Sequence, residues 1–407
     1  MRSEIDQLMC DNHVDIIWVT GAGQNNPAMV YLTGGIEVTQ ADLFKRVGEP
    51  GVLFHSPIER DGAARSGFPL RSYAEFPLKN LIDEAAGNIH MVPILRTKKI
   101  LETLGITSGQ TAVYGLTEIG SGYNMLLQLT RAFPGLSFEI SPAQDILARA
   151  RATKDSQEID RIRQVAEKTV RIVANIADFV SSQQVKNEVV YKKDGTPLTI
   201  SDVKKRISFM LLEFGLQAQE TIFAIGRDAG VPHNNGNPES SLKTGQTIVF
   251  DAFFQEAGGG YCYDFTRTWC LGHAADEVQR MHQHVQEVHT QVAKAIKCGT
   301  SFSLSQGLAC EIFEELGYET IQSNPATQSG YVHGIGHGLG LKVHELPASN
   351  ADVPENILKP GMVFTIEPGL YYPERGVGIR IEDTYYLDED GNLKVFVEYP
   401  HDLVLPL

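Results

Sequence analysis

The chain has 407 residues, a length that indicates two domains, and its 42% hydrophobic and 21% charged residues are typical of a globular protein. No apolar run is long enough to span a membrane, so we expect no membrane partner. The formal net charge of −15 and the lack of a concentrated basic stretch exclude nucleic acid as an expected partner.

The five cysteines are odd in number and form no Cys-x-x-Cys pair, which fits reduced thiols better than a disulfide framework. Residues 1–10 carry acidic side chains and lack the apolar core of a signal peptide. These two features predict a cytoplasmic protein.

About the first 140 residues alternate short apolar runs with helical patterns, which indicates an α/β domain. The segment Gly21–Gly23 follows the first of these runs, like the start of a dinucleotide fingerprint. The third glycine is missing and the next residues favour a strand, so nucleotide binding is not expected. Strands are predicted at 15–20, 29–34, 51–55 and 111–115, and helices at 98–105 and 123–133.

The sequence then becomes charged and helical, and apolar residues from Ile159 to Val180 keep helical spacing. The stretch RATKDSQE is polar, and we place a domain boundary near residue 155, which gives domains at 1–155 and 156–407. Further helices are predicted at 201–214, 275–297 and 303–316, and mostly strands after residue 361.

The segment 333–345, HGIGHGLGLKVHE, contains three histidines and four glycines. Each glycine would cost about 1 kcal/mol in a helix interior, so His333 and His337 are not expected to form a helical metal-binding pair. The alternation instead predicts a strand with both histidines on one face and the glycines on the other. Strand glycines mark a close approach of backbone or ligand, so the segment is either a site or a glycine-rich connection with core histidines.

One pattern occurs twice, in the segments GQTIVFD and GMVFTIE. An apolar strand starts at a glycine and ends on a carboxylate, Asp251 in the first segment and Glu367 in the second. A returning strand follows each and carries another carboxylate, Asp264 or Glu382. The sequence therefore predicts two similar β-hairpins related by a pseudo-two-fold axis, with an acid on both arms.

Four buried carboxylates cannot all be ionised without compensating positive charge, and Arg267 and Arg380 are too few to supply it. Two divalent metal ions would balance the set, with His337 as a fifth ligand. Oxygen-rich ligands with one imidazole suit Mn²⁺, Co²⁺, Fe²⁺ or Zn²⁺. Acids on strands can also form solvated faces, but Asp251 and Glu367 end apolar runs, where that alternative fits less well.

Four segments resemble metallopeptidase family M24, which includes methionine aminopeptidase, aminopeptidase P and prolidase: YCYDFTRT, HGIGHGLGLKVHE, GMVFTIEPGLY and GVGIRIED. The resemblance covers essentially the whole chain. It implies an α/β N-terminal domain of the creatinase type, as in prolidase and aminopeptidase P. It also implies an α+β catalytic domain with the pita-bread fold, in which the pseudo-two-fold β-hairpins lie.

The resemblance assigns roles to individual residues. His233 and His344 would contact the substrate and stabilise the tetrahedral intermediate, and His333 would be a further pocket histidine. Arg380 would contact the metal ligands without binding the ions itself. Two divalent ions are implied, Mn²⁺ or Co²⁺ first and Zn²⁺ or Fe²⁺ as alternatives, with Asp264 and Glu382 bridging both. The five implied metal ligands are Asp251, Asp264, His337, Glu367 and Glu382.

The expected activity is hydrolysis of the Xaa-Pro bond at the N-terminus of dipeptides or short peptides, by a homodimer. Glu367 would pass a proton from the attacking water to the leaving nitrogen. The alternatives are a non-peptidase hydrolase or lyase of a small molecule on the same fold, or a binding module. Because all five ligand positions are filled, a pure binding role is disfavoured.

Two features depart from the family pattern. The usual Asp-x-Gly is Asp251-Ala252-Phe253 here, followed by a longer hairpin. Several prolidases hold the C-terminal carboxylate of the substrate with an arginine, whereas this chain has Ala348 and Val353 at two such positions. Candidates to replace those arginines are Lys342, Lys359 and Arg375.

The helix predicted at 275–297 carries further histidines, of which His282 and His289 share a face. We interpret them as part of a polar helical face rather than as a site. Cys262 and Cys270 flank Asp264 and are expected to be buried small apolar side chains rather than metal ligands.

Overall fold

The structure, a computed structural model, describes residues 4–138 and 145–407. Contacts within the chain define two units, Met1–Ala150 together with Gly258–Gly260, and Arg151–Ala257 together with Tyr261–Leu407. The domain division at 1–155 and 156–407 stays a prediction.

The first unit is built around a mixed six-stranded sheet with the order β4-β3-β2-β1-β5-β6, in which β1 is antiparallel to β2 and parallel to β5. The strands are β1 (Ile16–Gly21), β2 (Ala41–Arg46), β3 (Val52–His55), β4 (Leu70–Ser72), β5 (Ser108–Gly115) and β6 (Gly135–Ser137). The helices are α1 (Glu4–Asp11), α2 (Pro27–Thr33), α3 (Arg60–Ala64), α4 (Leu78–Glu84), α5 (Val92–Thr103) and α6 (Ile119–Ala132).

The strand predicted at 29–34 is wrong, because this segment lies in helix α2. Asn26 caps the helix, its side chain accepting a hydrogen bond from the Met29 amide, and Pro27 occupies the first turn. Gly34 ends the helix in the left-handed conformation, at φ 81°. These start and stop signals outweigh the strand preference of the residues between them.

Helix α7 (Ile146–Ala152) begins in the first unit and ends in the second. The helices that lie wholly in the second unit are α8 (Ser156–Ser181), α9 (Ile200–Phe214), α10 (Asp276–Ala295) and α11 (Ser303–Glu315). Helix α8 begins with a capping box between Asp155 and Glu158, and it buries the apolar stripe expected from the sequence. Among the helices that the structure describes, none combines the length and the apolar character needed to cross a membrane.

Two five-stranded sheets dominate the second unit, one containing the path β10-β12-β15-β11 with β23 beside β15, the other ordered β17-β16-β18-β21-β22. The strands are β7 (Gln184–Lys186), β8 (Val189–Tyr191), β9 (Leu216–Gln217), β10 (Ile222–Ile225), β11 (Thr244–Gly245), β12 (Thr247–Asp251), β13 (Phe254–Glu256), β14 (Cys262–Tyr263), β15 (Thr266–Ala274), β16 (His337–Gly338), β17 (Glu345–Ala348), β18 (Val363–Ile366), β19 (Gly369–Tyr372), β20 (Val377–Arg380), β21 (Asp383–Leu387), β22 (Leu393–Val395) and β23 (Val404–Leu405).

The two strand pairs predicted from the repeated pattern are present. Strand β12 is antiparallel to β15, and β18 is antiparallel to β21. The sheets meet where Thr266 and Glu382 exchange backbone hydrogen bonds, of 3.0 and 3.4 Å. Behind them, Val285, Val288 and Val292 of α10 lie in one buried cluster with Phe364 and Ile379.

The glycine-rich segment is not the continuous strand that we predicted, since between residues 333 and 344 only His337 and Gly338 form a strand. The close approach expected from its glycines does occur. A Cβ atom on Gly336 would lie 2.0 Å from the carbonyl oxygen of Thr365, and one on Gly338 would lie 2.1 Å from that of Leu346. Neighbouring backbone therefore occupies the space that side chains would need.

Candidate metal centre

The predicted ligands come from the ends of strands in the second unit. Asp251 ends β12, Asp264 precedes β15, Glu367 follows β18, Glu382 lies between β20 and β21, and His337 begins β16. All five line one cavity of about 690 Å³. The other predicted site residues line the same cavity: His233, His333, His344 and Arg380.

The ligand atoms of Asp264, His337 and Glu382 lie within 4.8 Å of one another. The Nε2 atom of His337 is 3.7 Å from Asp264 Oδ2 and 3.5 Å from Glu367 Oε1. Its Nδ1 atom is 3.2 Å from the carbonyl oxygen of Gly338, an acceptor that favours a proton on Nδ1. This tautomer leaves Nε2, which faces the carboxylates, available as a ligand.

Burial and mutual repulsion weaken the acidity of the cluster. Burial, followed by the charges of neighbouring carboxylates, raises the pKa of Asp264 and of Glu382 well above the ordinary values. Burial also raises the pKa of Glu367 to about 8, although Arg380 opposes this shift. Full ionisation of these side chains therefore requires additional positive charge beside them.

The residues present fit divalent cations. Oδ1 of Asp251 and Oε1 of Glu382 are buried, and neither has a hydrogen-bond partner within the described part of the chain. Buried acceptor atoms normally have a hydrogen-bond partner. Two carboxylate oxygens without one, in the same cluster, therefore indicate positions where an ion can bind. The donor set, four carboxylates and one imidazole, is one that Mn²⁺, Co²⁺, Fe²⁺ and Zn²⁺ accept.

Arg380 fixes the other oxygens of these same two acids. Its Nη2 atom donates to Asp251 Oδ2 at 2.5 Å and its Nε atom to Thr266 Oγ1 at 3.2 Å. Thr266 Oγ1 in turn donates to Glu382 Oε2 at 2.7 Å. One oxygen of each acid is thus held by the protein, and the unpaired oxygen of each remains free for a cation.

His333 is held by two partners rather than free in the cavity. Its Nδ1 atom lies 2.8 Å from the carbonyl oxygen of Gly334, and its Nε2 atom 2.9 Å from the hydroxyl of Tyr371. Because this hydroxyl accepts a hydrogen bond from Arg380 at 2.8 Å, its own proton points to His333 Nε2. Both ring nitrogens are therefore occupied, which leaves His333 no lone pair for a metal.

His344 and His233 are both exposed and border the cavity. The ring of His344 packs against that of His337, with centroids 4.3 Å apart and planes at 64°. Burial of part of the ring lowers the pKa of His344, so the imidazole is neutral at pH 7 and carries one N–H donor. The next residue, Glu345, forms ion pairs with Arg151 at 3.2 Å and Lys154 at 3.6 Å.

Sequence reasoning missed Thr266 and Tyr371 as members of this site. A signal for Thr266 was present, because a threonine follows each returning-strand acid at the same spacing. Each threonine hydrogen-bonds to the acid of the other strand pair. Thr266 contacts Glu382, and Thr384 Oγ1 donates to the carbonyl oxygen of Asp264 at 2.7 Å. Tyr371 lies within one of the motif segments, but no spacing pattern distinguished it from a core tyrosine.

Our interpretation of the α10 histidines as a polar helical face is wrong. His282 is 6% exposed and His289 is 3% exposed. Nε2 of His289 lies 3.4 Å from Oδ2 of Asp383, a carboxylate that also accepts from Arg267 at 2.7 Å and from His401 at 3.1 Å. Cys262 and Cys270 are buried free thiols, as expected.

The four carboxylates and one imidazole that face this one cavity form a donor set suited to an enzyme that uses divalent metal ions. The chain belongs to metallopeptidase family M24, whose model matches residues 160–389. The predicted family and the predicted fold class, an α/β N-terminal domain and an α+β pita-bread domain, are thereby confirmed.

Two relatives and one solved structure illustrate the similarity. The chain is 31% identical to YkvY of Bacillus subtilis (strain 168) over 68% of its own length and 69% of that protein. It is 28% identical to the Xaa-Pro dipeptidase of Pyrococcus furiosus, over 96% of its own length and 97% of that protein. Its fold matches the dipeptidase structure from Pyrococcus horikoshii OT3 with a TM-score of 0.76 at 22% identity, over 99% of both chains.

Proposed function

We propose that the protein is a dinuclear metal-dependent peptidase that cleaves the Xaa-Pro bond at the N-terminus of dipeptides or short peptides. The observation that carries this proposal is the pair of unfilled buried oxygens, on Asp251 and Glu382, in the carboxylate cluster. Similarity to the Xaa-Pro dipeptidase of Pyrococcus furiosus over nearly the full chain supports the substrate class. A homodimer, a cytoplasmic location and domains at 1–155 and 156–407 belong to the same proposal.

The proposed ligands of the two ions are Asp251, Asp264, His337, Glu367 and Glu382. These side chains would hold the ions, for which Mn²⁺ or Co²⁺ is expected first and Zn²⁺ or Fe²⁺ second. When bound, divalent ions lower the pKa of water towards neutrality and polarise a peptide carbonyl.

Three side chains carry the proposed proton and charge movements. Glu367 receives the proton of the attacking water and delivers it to the leaving nitrogen. Neutral His344 donates its N–H to the oxygen on which negative charge develops. His233, on the exposed side of the cavity, seats the substrate.

A prolyl leaving group suits this arrangement. The Xaa-Pro bond is a tertiary amide, so its nitrogen carries no hydrogen. A peptidase that needs a hydrogen bond from this N–H group cannot bind an Xaa-Pro substrate. The catalytic groups proposed here act on the carbonyl and on the leaving nitrogen, and none of them needs that hydrogen.

The experiment that tests the proposal loads the purified protein with Mn²⁺ or Co²⁺ and adds Ala-Pro, Met-Pro and Ala-Pro-Gly. Release of free amino acids is followed by mass spectrometry. The isosteric Glu367→Gln variant is expected to lose turnover, whereas Glu374→Gln, at an exposed acid, should keep it. Full activity of Glu367→Gln would exclude the proposed proton transfer.

A second variant separates catalysis from metal binding. His344→Ala is expected to lower kcat by about 100-fold or more, as for the loss of other oxyanion donors, with unchanged metal content. Loss of metal from this variant, measured by elemental analysis, would instead identify His344 as a ligand.

A further inference from the structure

The first unit has a cavity of its own, with a volume of about 410 Å³. It lies at the carboxyl ends of the parallel strands β1 and β5, since Gly21 ends β1 and Leu116 directly follows β5. In open α/β sheets, ligands bind in the crevice at this end of the strands. The size and the position of the cavity are therefore those of a small-molecule site.

Asp42 forms the acidic part of this lining. It lies on β2, beside Thr20 of β1, and is 6% exposed. Its Oδ1 atom accepts a hydrogen bond of 3.0 Å from Trp18 Nε1, and its Oδ2 atom accepts one of 2.6 Å from the hydroxyl of Tyr73. Both donors are neutral, and each oxygen keeps a second lone pair. Within the described part of the chain, no cation lies within 4 Å of this buried carboxylate.

Arg96 adds the opposite charge to the same lining. Its guanidinium carbon lies 4.6 Å from the centroid of the Tyr73 ring, in a cation–π contact. Because guanidinium donors point outward in their own plane, this stacking leaves them available to a ligand. No carboxylate of residues 4–138 and 145–407 lies within 4 Å of the group. Tyr73 thus contacts an acid through its hydroxyl and a base through its ring, and these two charges form no ion pair with each other.

The charges of the lining indicate the kind of ligand. A nucleotide would bring several negative charges next to Asp42, where the described lining offers Arg96 as its one cation. A simple cation would be repelled by Arg96. A zwitterion satisfies both side chains, because its ammonium group donates to Asp42 while its carboxylate accepts from Arg96. Pro93, Leu116 and Met125 contribute apolar surface, which suits an apolar side chain.

We propose that this cavity binds a free α-amino acid with an apolar side chain, held at its ammonium group by Asp42 and at its carboxylate by Arg96. The cavity shares no lining residue with that of the candidate metal centre, as far as the described residues define the two. The inference does not depend on the proposed peptidase activity.

Binding of L-leucine to the full chain is the first test. Isothermal calorimetry should show saturable binding with a Kd of about 1 mM or below. Trp18 reports the location, because its indole N–H donates directly to Asp42, so leucine should change its fluorescence. The change should be lost in Trp18→Phe, since the other tryptophan, Trp269, lies in the second unit. The absence of saturable binding up to about 20 mM leucine would overturn the inference.

Two leucine derivatives test the two charges separately. Leucinamide lacks the carboxylate, and N-acetyl-leucine lacks the ammonium group. Each should bind about tenfold or more weakly than leucine, because each leaves one charged side chain of the lining without its partner. AMP should not compete with leucine. Equal affinities for the three leucine compounds, or competition by AMP, would contradict a site for a zwitterion.

Two variants assign the binding to this cavity. Asp42→Asn and Arg96→Gln should each weaken leucine binding by about tenfold or more, since each removes one of the paired charges. Arg96 is only partly buried, so its variant keeps the test valid if Asp42→Asn is poorly folded. Arg60→Gln, at an exposed arginine outside the described lining, is the matched control and should bind leucine like the wild type. Unchanged affinity in Arg96→Gln would overturn the inference.

A last comparison separates this site from the candidate metal centre, where an amino acid could also bind. The leucine titration is carried out with the Mn²⁺-loaded chain and again after a chelator has removed the metal. We expect the same affinity and the same Trp18 signal in both. Binding that disappears with the metal would place leucine at the metal centre and overturn the inference, without contradicting the proposed peptidase function.

Discussion

Arg380 is the residue that links the two halves of the candidate metal centre. It binds Asp251 directly and reaches Glu382 through the hydroxyl of Thr266. A guanidinium suits this position because its donors lie in a fixed plane and stay charged when buried. The orientation of both acids therefore depends on one side chain that need not touch the ions itself.

Removal of this guanidinium should be costly. Arg380→Met would leave the buried Asp251 carboxylate without its cation, and breaking a buried pair in this way destabilises proteins by about 3–5 kcal/mol. Urea unfolding measures the loss, and elemental analysis measures the metal content, which should also fall. Arg375→Met is the matched control, because Arg375 pairs with Glu277 at the surface and should contribute under about 1 kcal/mol. Equal losses in both variants would contradict this account of Arg380.

The sequence identified the residues that carry motif and charge, but not the neutral groups that orient them. Asp251 and Glu367 were recognisable because an acid at the end of an apolar strand is unusual. The role of Tyr371 depends on its contact with His333, which lies 38 residues away in the chain. Contacts of this kind are created by the packing of sheets and helices and leave no local pattern.

Among the structural elements, the glycine-rich segment is the one most constrained by its neighbours. The backbone of Gly336 lies against the carbonyl of Thr365, in the strand that leads to Glu367. A side chain at 336 would push these strands apart next to His337. The glycines thus set how closely one proposed ligand approaches another.

Gly336→Ala is expected to destabilise the fold by more than about 1 kcal/mol, since its Cβ would lie 2.0 Å from a backbone oxygen that cannot rotate away. It should also weaken metal binding by displacing His337. Gly307→Ala provides the control, because no atom lies within 4 Å of the added Cβ in helix α11. That change should stabilise the helix by up to about 1 kcal/mol, and urea midpoints of the two variants should shift in opposite directions.

We expect the two buried histidines of helix α10 to make the stability of the fold depend on pH. Burial lowers the pKa of His289 and of His282 to about 4, although Asp383 partly opposes the shift at His289. The unfolded chain protonates these groups near pH 6.5, whereas the folded chain resists protonation. The free energy of unfolding is therefore unaffected by these groups above about pH 6.5. It decreases as the pH falls towards 4, by up to about 1.4 kcal/mol per pH unit for each group.

His289→Gln should reduce this acid dependence even if the variant is less stable at pH 7.5. The measurement is urea unfolding at several pH values between 7.5 and 4.5. His90→Gln, at an exposed histidine, should keep the slope of the wild type. A wild-type slope in His289→Gln would show that other groups cause the acid sensitivity.

Helices α2 and α10 show where sequence patterns were insufficient at this scale. Helix α2 is only seven residues long, too short for periodicity to reveal it, and the signals of its two ends, at Asn26 and Gly34, were overlooked when a strand was predicted there. In α10, His282 and His289 occupy positions of the same buried stripe as Val278, Val285 and Val292. Had their position in the apolar stripe been given more weight than their polarity, the sequence would have predicted that both histidines are buried.

At the scale of the whole molecule, we expect the carboxylate cluster to couple folding to metal binding. Three acids with weakened acidity line one cavity, so ions that neutralise them would stabilise the folded chain in preference to the unfolded one. The strand order alone could not predict how far this coupling extends, because it depends on the burial of every ligand.

Treatment with a chelator should abolish activity and lower the Tm by at least about 2 °C, and added Mn²⁺ should restore both. Thermal unfolding with and without the chelator gives the difference. Asp264→Asn, which alters a proposed metal ligand, should lose most of this metal-dependent shift. A shift of the same size in that variant would place the stabilising ion elsewhere.

The meeting of two hairpins from distant parts of the chain also affects the order of events during biosynthesis. A ribosome makes Asp251 and Asp264 first, then α10, α11 and the glycine-rich segment, and Glu382 only after these. A nascent chain cannot assemble the proposed ligand set until translation has passed Glu382. Loading of both ions should therefore be a late event in the life of each new molecule, and the cell's supply of free metal at that moment would decide which ions it acquires.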